Sequence, residues 1–242
     1  MDLKLEKDFL IRGDRTYLPH ISVDCVIFGF HENQLKVLLL KWKSGPWCLP
    51  GGFVKHHEAL DESAIRVLNE RTGLEEIYLH QFHAFGDPTR ERGKKINPAK
   101  SWVNKRFITV GYYALVEFSK VDPKPDFLST ECTWWDIQEI PSLIYDHNNI
   151  VDKALDTLRI GLSDHPVGIN LLPRKFTMPE LQRLYETILG KKLDRRNFQK
   201  RMLAMGILER LNEQKRGGPH KAPFFYRFDK KGYAQVVKQG LW

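Results

Sequence analysis

Two apolar runs dominate the first forty positions. Residues 21–30 (ISVDCVIFGF) and 35–42 (LKVLLLKW) are rich in β-branched and aliphatic side chains and are separated by the polar HENQ. That pattern predicts a hairpin whose strands are largely buried. Residues 77–86 and 107–118 (FITVGYYALVEF) read as further strands, with a shorter one around CTWWDI. Between them, PTRERGKKINPAKSWVNKR is polar, basic and interrupted by proline, and reads as a long loop. Loops of that length in a compact domain are usually functional or disordered. From about Asn148 to Leu162 the apolar positions Ile150, Val151, Ala154, Leu155, Leu158 and Leu162 recur at helical spacing.

The pattern then lapses. Residues 163–174, part of SDHPVGINLLPRKF, carry two prolines and few periodic apolar positions, and read as a linker. Thr177-Met-Pro-Glu180 has the form of a capping box, with Thr177 as N-cap, Pro179 in the first turn and Glu180 at N3. The helix it starts buries Leu181, Leu184, Tyr185 and Ile188 and stops near Gly190. Asp194 can cap a second helix, RRNFQKRMLAMG, whose Phe198, Met202 and Met205 repeat at i, i+4, i+7 and face a core. Residues 207–211 and 223–228 read as two strands joined by NEQKRGGPHKA. Helix, turn, helix and a basic-tipped hairpin describe a winged helix-turn-helix.

Charge separates the two halves. Residues 161–242 hold 17 Lys and Arg against 7 Asp and Glu, whereas the whole chain holds 38 against 30. The entire excess of basic charge therefore sits in the last third, and a basic module beside a neutral one points to two domains, the basic one facing phosphates. Other bulk properties exclude rather than suggest. No run of about 18 uncharged apolar residues exists to span a bilayer, and MDLKLEKDFL lacks the apolar region of a secretory signal. Cys25, Cys48 and Cys132 are odd in number and far apart, which suits a reducing cytoplasm and neither a disulfide framework nor a cysteine metal site. His56 and His57 are adjacent, without ligand spacing, and read as solvated loop residues.

The outer face of the second basic helix carries Arg195, Arg196, Asn197, Gln199, Lys200 and Arg201. Arginine suits guanine edges, asparagine and glutamine suit adenine, and all of them grip phosphates. They cluster at the end of a recognition helix that enters the major groove. Lys215, Arg216 and Lys221 at the hairpin tip suit contacts with the DNA backbone or minor groove. Double-stranded DNA is the expected partner.

Residues 50–74, PGGFVKHHEALDESAIRVLNERTGL, carry the other chemistry. They resemble the Nudix box: Gly52, five residues, Glu58, seven residues, Arg66, then a closing R-E-aliphatic-x-E-E-x-G-aliphatic run. The closing run here is Arg66-Val67-Leu68-Asn69-Glu70-Arg71-Thr72-Gly73-Leu74. Positions 67, 70 and 71 share one helix face. In Nudix hydrolases carboxylates there hold divalent metal against a diphosphate. Val67 offers no ligand and Arg71 places a fixed cation beside the site, while Glu70 can pair with Arg66 or Arg71. The Glu58–Arg66 pair, and with it the loop–helix shape, should persist. The expectation is no catalytic residue, no metal and no cofactor.

The whole chain, from about Ile21 to Phe228, resembles the NrtR-like Nudix-related transcriptional regulators of bacteria. DCVIFGF, PGGFV with the box, GYYAL, the W-x-x-I-x-x-I-P pattern at Trp134–Pro141 and YDHNNIVDKAL are similar to that family's first half. NLLPRKFTMPELQRLYETILGKKLDRRNFQKRM is similar to its linker and DNA-reading helices. The resemblance implies an α+β chain, with a Nudix α/β/α sandwich on a mixed sheet over residues 1–162 and a winged helix-turn-helix over 175–242. It also implies a homodimeric repressor on a palindromic operator, with no membrane role and a small-molecule effector in the Nudix pocket. Some members sense ADP-ribose; Bacteroidetes-type relatives sense sugars such as arabinose. Gly86-Asp-Pro-Thr-Arg90 departs from the run common in ADP-ribose-type Nudix proteins, which tilts the expectation toward a sugar. Lys41, Trp47, Phe53, Glu70, Asp87 and Arg90 are the expected effector contacts: an aromatic platform with hydrogen-bonding groups around it. The alternative reading is an active metal-dependent pyrophosphatase acting on ADP-ribose or a nucleoside diphosphate derivative.

Overall fold

The computed structural model describes residues 3–43, 45–75, 77–90, 101–162, 168–215 and 222–233. A helix, α1 (Leu3–Arg12), leads into β1 (Tyr17–His31), β2 (Gln34–Trp42), β3 (Trp47–Cys48) and β4 (Gly51–Lys55). Helix α2 (Leu60–Thr72), β5 (Tyr78–Phe85), β6 (Ile108–Val116), β7 (Ser129–Asp136) and α3 (His147–Gly161) complete the first module. The strands form one mixed sheet in the order β3-β2-β1-β6-β5, with β4 also pairing with β1 and β7 with β2. β1 runs parallel to β6, from Ile21 opposite Ile108 to Gly29 opposite Val116, and antiparallel to β2 and β4.

The continuous apolar run of β1 follows from burial on both faces. Val23, Cys25 and Ile27 meet Ala64, Val67 and Leu68 of α2, while Val26 and Phe28 belong to the cluster containing Ile150, Val151, Ala154 and Leu158 of α3. A sheet covered on both sides has no polar alternation to show. Each fully buried side chain of this size contributes about 1.5–3 kcal/mol relative to exposure.

The second module begins with α4 (Gly168–Leu171) and β8 (Phe176–Thr177), continues through α5 (Met178–Leu189) and α6 (Arg195–Ala204), and ends with β9 (Leu208–Gln214) and β10 (Phe224–Phe228). Its sheet order is β8-β10-β9. The capping box forms: Thr177 N donates to Glu180 Oε2 at 2.7 Å and Glu180 N to Thr177 Oγ1 at 3.4 Å. α5 closes at Gly190, whose φ of 66° is the left-handed conformation a glycine adopts cheaply. Asp194 caps α6 by accepting from Asn197 N at 2.9 Å. Phe198 and Met202 are buried, and Met205 packs against them from a half-buried position.

The structure adds to the sequence pattern in three stretches. Leu3–Arg12 carries no clear apolar period yet is helical, because Ser101 Oγ donates to Leu10 O at 2.6 Å and Trp102 Nε1 to Phe9 O at 2.8 Å. Ser101 and Trp102, in the segment expected to be a polar loop, are therefore buried. Gly168, Leu171 and Leu172, within the stretch expected to be a linker, are also buried. A methyl group on Gly168 would lie 2.8 Å from Leu181 Cδ1. Through these residues the apolar cluster under the mixed sheet continues into Leu181, Leu184, Ile188, Phe198, Met202 and Tyr226. Among the described residues no helix is long and apolar enough to cross a membrane.

Candidate functional site

The Nudix-like loop is held by one salt bridge. Arg66 Nε donates to Glu58 Oε1 at 2.7 Å and its Nη2 to Glu58 Oε2 at 2.9 Å and to Phe53 O at 2.9 Å. This bidentate pair joins α2 to β4 across the loop. The Arg66 hydrogen bond, aided by donors from Lys55, lowers the Glu58 pKa to about 2.

The closing positions of the box separate into three environments. Val67 lies in the core between α2 and the sheet. Glu70 is half-exposed and sits between two guanidiniums, 3.6 Å from Arg66 Nη1 and 3.5 Å from Arg71 Nη2. Arg71 is buried, with Nη2 also 3.3 Å from Asp126 and Nε left without a hydrogen-bond partner. The divalent ion that Nudix hydrolases use does not fit these residues. The helix face offers one carboxylate, already paired with two cations, where a hard cation needs several oxygens. Among the described residues no group of three or more His, Cys, Asp or Glu could hold a metal.

On the opposite face of β1 lies a denser polar cluster. Arg90 donates from Nε and Nη2 to Asp146 at 2.8–3.1 Å and from Nη1 to Phe107 O at 3.4 Å. Its Nη2 is also 3.8 Å from Asp24 Oδ2. Leu49 N donates to His147 Nδ1 at 3.0 Å, so the ring's Nε2, 3.8 Å from Asp24 Oδ2, carries the proton. Asp24 in turn stands where a methyl group on Gly51 would collide with it. Beside this cluster Phe53 packs on Trp102 at 4.5 Å and on Phe107 at 5.2 Å, with Phe9 and Tyr17 about the same rings.

Of the six expected effector contacts, this places Phe53 and Arg90 together through Phe107, with Asp87 in the turn that delivers Arg90. Asp87 Oδ1 accepts from Thr89 N, and Asp87 O from Arg90 N at 3.2 Å. Glu70 stands at the end of α2 beside Arg71 and Asp126. Lys41 and Trp47 form a separate group: Lys41 Nζ lies 3.0 Å from Glu131 and 5.4 Å from the Trp47 ring centre, and Trp47 packs on Trp135 at 5.2 Å. Asp24, Trp102, Phe107, Asp146 and His147 join this cluster, although the sequence pattern does not single them out as a group. Asp24 alone left a signal, a carboxylate inside an apolar run that must find a partner if buried.

On α6, Arg195, Arg196, Asn197, Lys200 and Arg201 are exposed and Gln199 is half-buried. Among the described residues no carboxylate pairs with the side chains of Arg195, Arg196, Lys200 or Arg201. The wing differs. Lys215 Nζ lies 2.6 Å from Glu180, Lys175 lies 2.7 Å from Glu213, and Arg227 pairs with Glu209 at 2.8 Å. Lys215 thus spends its charge inside the module, while Arg216 and Lys221 fall outside the described residues.

These two geometries define a Nudix-type sandwich joined to a winged helix with an open basic face. Comparison with known proteins agrees: residues 18–158 match the NUDIX domain family and residues 168–228 match the NrtR DNA-binding winged helix domain. The chain is 31% identical over 238 residues to the ADPR responsive transcriptional repressor NtrR of Acinetobacter baylyi, covering 94% of this chain and 90% of that one. It also superposes on NrtR of Shewanella oneidensis with a TM-score of 0.72 at 27% identity, covering 89% of this chain and 96% of that one. The same protein in complex with a 27mer DNA matches at 0.71 and 26% identity, over 88% and 95% of the two chains. The chain belongs to the NrtR family of Nudix-domain, DNA-binding transcriptional regulators.

Proposed function

We propose that this chain is a homodimeric repressor whose Nudix domain binds ADP-ribose or a close nucleotide relative without cleaving it, and that binding changes its affinity for a palindromic operator. The observation that carries the DNA-binding half is the unneutralised face of α6. Cations already paired with carboxylates have less charge to offer phosphates, and those of α6 are not so paired among the described residues. The effector half is supported by the Acinetobacter relative, which is described as ADP-ribose-responsive and aligns along nearly the whole chain. Loss of hydrolysis is supported by Val67 in the core and by Glu70 held between Arg66 and Arg71. The departure at Gly86–Arg90 favours a second reading, a sugar effector such as arabinose.

The test uses a duplex recovered by in vitro selection on the full chain. Arg195→Ala or Arg196→Ala should weaken binding by about 1–3 kcal/mol where the side chain is bidentate to a base, and reduce the salt slope by about one unit where it neutralises a phosphate. Unchanged binding by both variants at every salt concentration rejects α6 as the reading helix. ADP-ribose and arabinose are added separately to the same assay, and the one that shifts the duplex affinity identifies the effector class. Robust magnesium- or manganese-dependent turnover of ADP-ribose, abolished by Glu70→Gln, would reject the non-hydrolytic reading.

A further inference from the structure

Helix α3 touches both chemistries at its two ends. Its N-terminal turn is bolted to the polar cluster. Asp146, the residue preceding the helix, accepts three hydrogen bonds from Arg90. His147 is fixed by Leu49 N, and Asn148 accepts from Leu143 N at 2.8 Å while donating to Pro141 O at 3.1 Å. Fifteen residues of helix, about 22 Å at 1.5 Å per residue, lead to the other end. There Arg159 Nε donates to Ile188 O at 2.9 Å.

Ile188 occupies the last turn of α5, where backbone carbonyls have no partner within their own helix. Two residues on, Gly190 turns the chain toward α6. That turn is braced from α5: Glu186 Oε1 accepts from Leu193 N at 2.9 Å and Gln182 Nε2 donates to Leu193 O at 3.0 Å. Tyr185 and Phe198 meet edge to face at 5.3 Å, so α6 follows wherever the end of α5 goes. A second, separate attachment runs from Thr187 Oγ1 to Asn33 O at 3.1 Å, in the β1–β2 turn.

We propose that α3 is the coupling element between the Arg90–Asp146 cluster and the DNA-reading helix, and that Arg159 is the positioning residue through which it acts on α5 and α6. A ligand phosphate competing for Arg90, or ligand hydroxyls competing for Asp146, would slacken the first turn of α3. The helix carries that change to Arg159, and Arg159 carries it to the α5–α6 turn. This rests on the effector reading for its biological meaning, but its physical content, the link from Asp146 to Ile188, does not require that the effector be known.

The test is therefore made without effector or DNA, by residue-resolved amide hydrogen exchange on the full chain. Asp146→Asn should speed exchange in the first turn of α3 and also, by at least about five-fold, across residues 186–197. In an Arg159→Met background, which keeps the aliphatic stem, the same Asp146→Asn change should alter residues 186–197 by less than about two-fold. Thr187→Val, which cuts the second polar attachment and leaves the shared apolar cluster intact, should leave the full Asp146→Asn effect in place, and Arg159→Lys should restore part of it. Should Asp146→Asn fail to fold, Arg90→Lys replaces it in the same scheme. An Asp146 effect of equal size with and without Arg159, or faster exchange confined to α3, or no change in either place, overturns the proposal. Failure of ADP-ribose to shift duplex affinity would reject only the effector reading.

Discussion

Val67 Cγ2 stands 2.7 Å from the point where a methyl group on Gly52 would be built. The first glycine of the box and its first substituted carboxylate position are thus packed against each other. Gly52→Ala should cost about 1–3 kcal/mol by overpacking, and Gly52→Ala with Val67→Ala should recover part of that cost. Urea unfolding of the single and double variants measures it. A neutral Gly52→Ala would show that the loop moves freely over α2.

Arg90 is a structural cation whatever else it binds. Its side chain is 4% exposed between Asp146 and Asp24. Arg90→Met strands two carboxylates, and breaking a buried pair in this way costs about 3–5 kcal/mol. A loss below about 1 kcal/mol in equilibrium unfolding would show that water already solvates the cluster.

Acid stability should depend on Glu58. Its pKa falls from 4.5 to about 2 in the folded chain, chiefly through the Arg66 hydrogen bond. A depressed carboxylate stabilises the fold above its unfolded pKa, and that contribution disappears as pH drops from about 4.5 toward 2. Glu58→Gln should be less stable at neutral pH and show a flatter stability profile across that window. Parallel profiles for the two proteins would contradict the salt-bridge assignment.

The thiols should be inert. Burial raises the Cys132 pKa to about 12 and pushes Cys25 and Cys48 well above the usual thiol range. Thiolate is the reactive form, so iodoacetamide near pH 8 should label none of the three in the folded chain and all three in urea. Rapid labelling of native Cys132 would mean that the β2–β7 edge opens.

The strands, the capped helices and the box were legible because each rests on a local rule. Thr177 and Glu180 satisfy each other three residues apart, Gly190 takes the left-handed turn, and the alternation of Val23, Cys25 and Ile27 with Val26 and Phe28 reports two covered faces. The polar cluster was not legible, because its members come from five distant places. Arg90 meets Asp146 across 56 residues, and Trp102 meets Phe9 across 93. Nothing in PTRERGKKINPAKSWVNKR marks its serine and tryptophan as buried, since their partners are backbone carbonyls of α1. Likewise, nothing local shows that β2 and β3 carry Lys41 and Trp47 to Glu131 and Trp135.

The shared apolar cluster beneath the sheet has a consequence for how this molecule comes apart. Leu171, Leu181 and Ile188 are buried in the same cluster as Phe28 and Val151, so cutting the chain near residue 165 would bare apolar surface on both fragments. Heat should melt the Nudix module and the winged-helix module in a single calorimetric transition. Transplanting either half onto a foreign partner would require repainting its newly wetted side with polar residues.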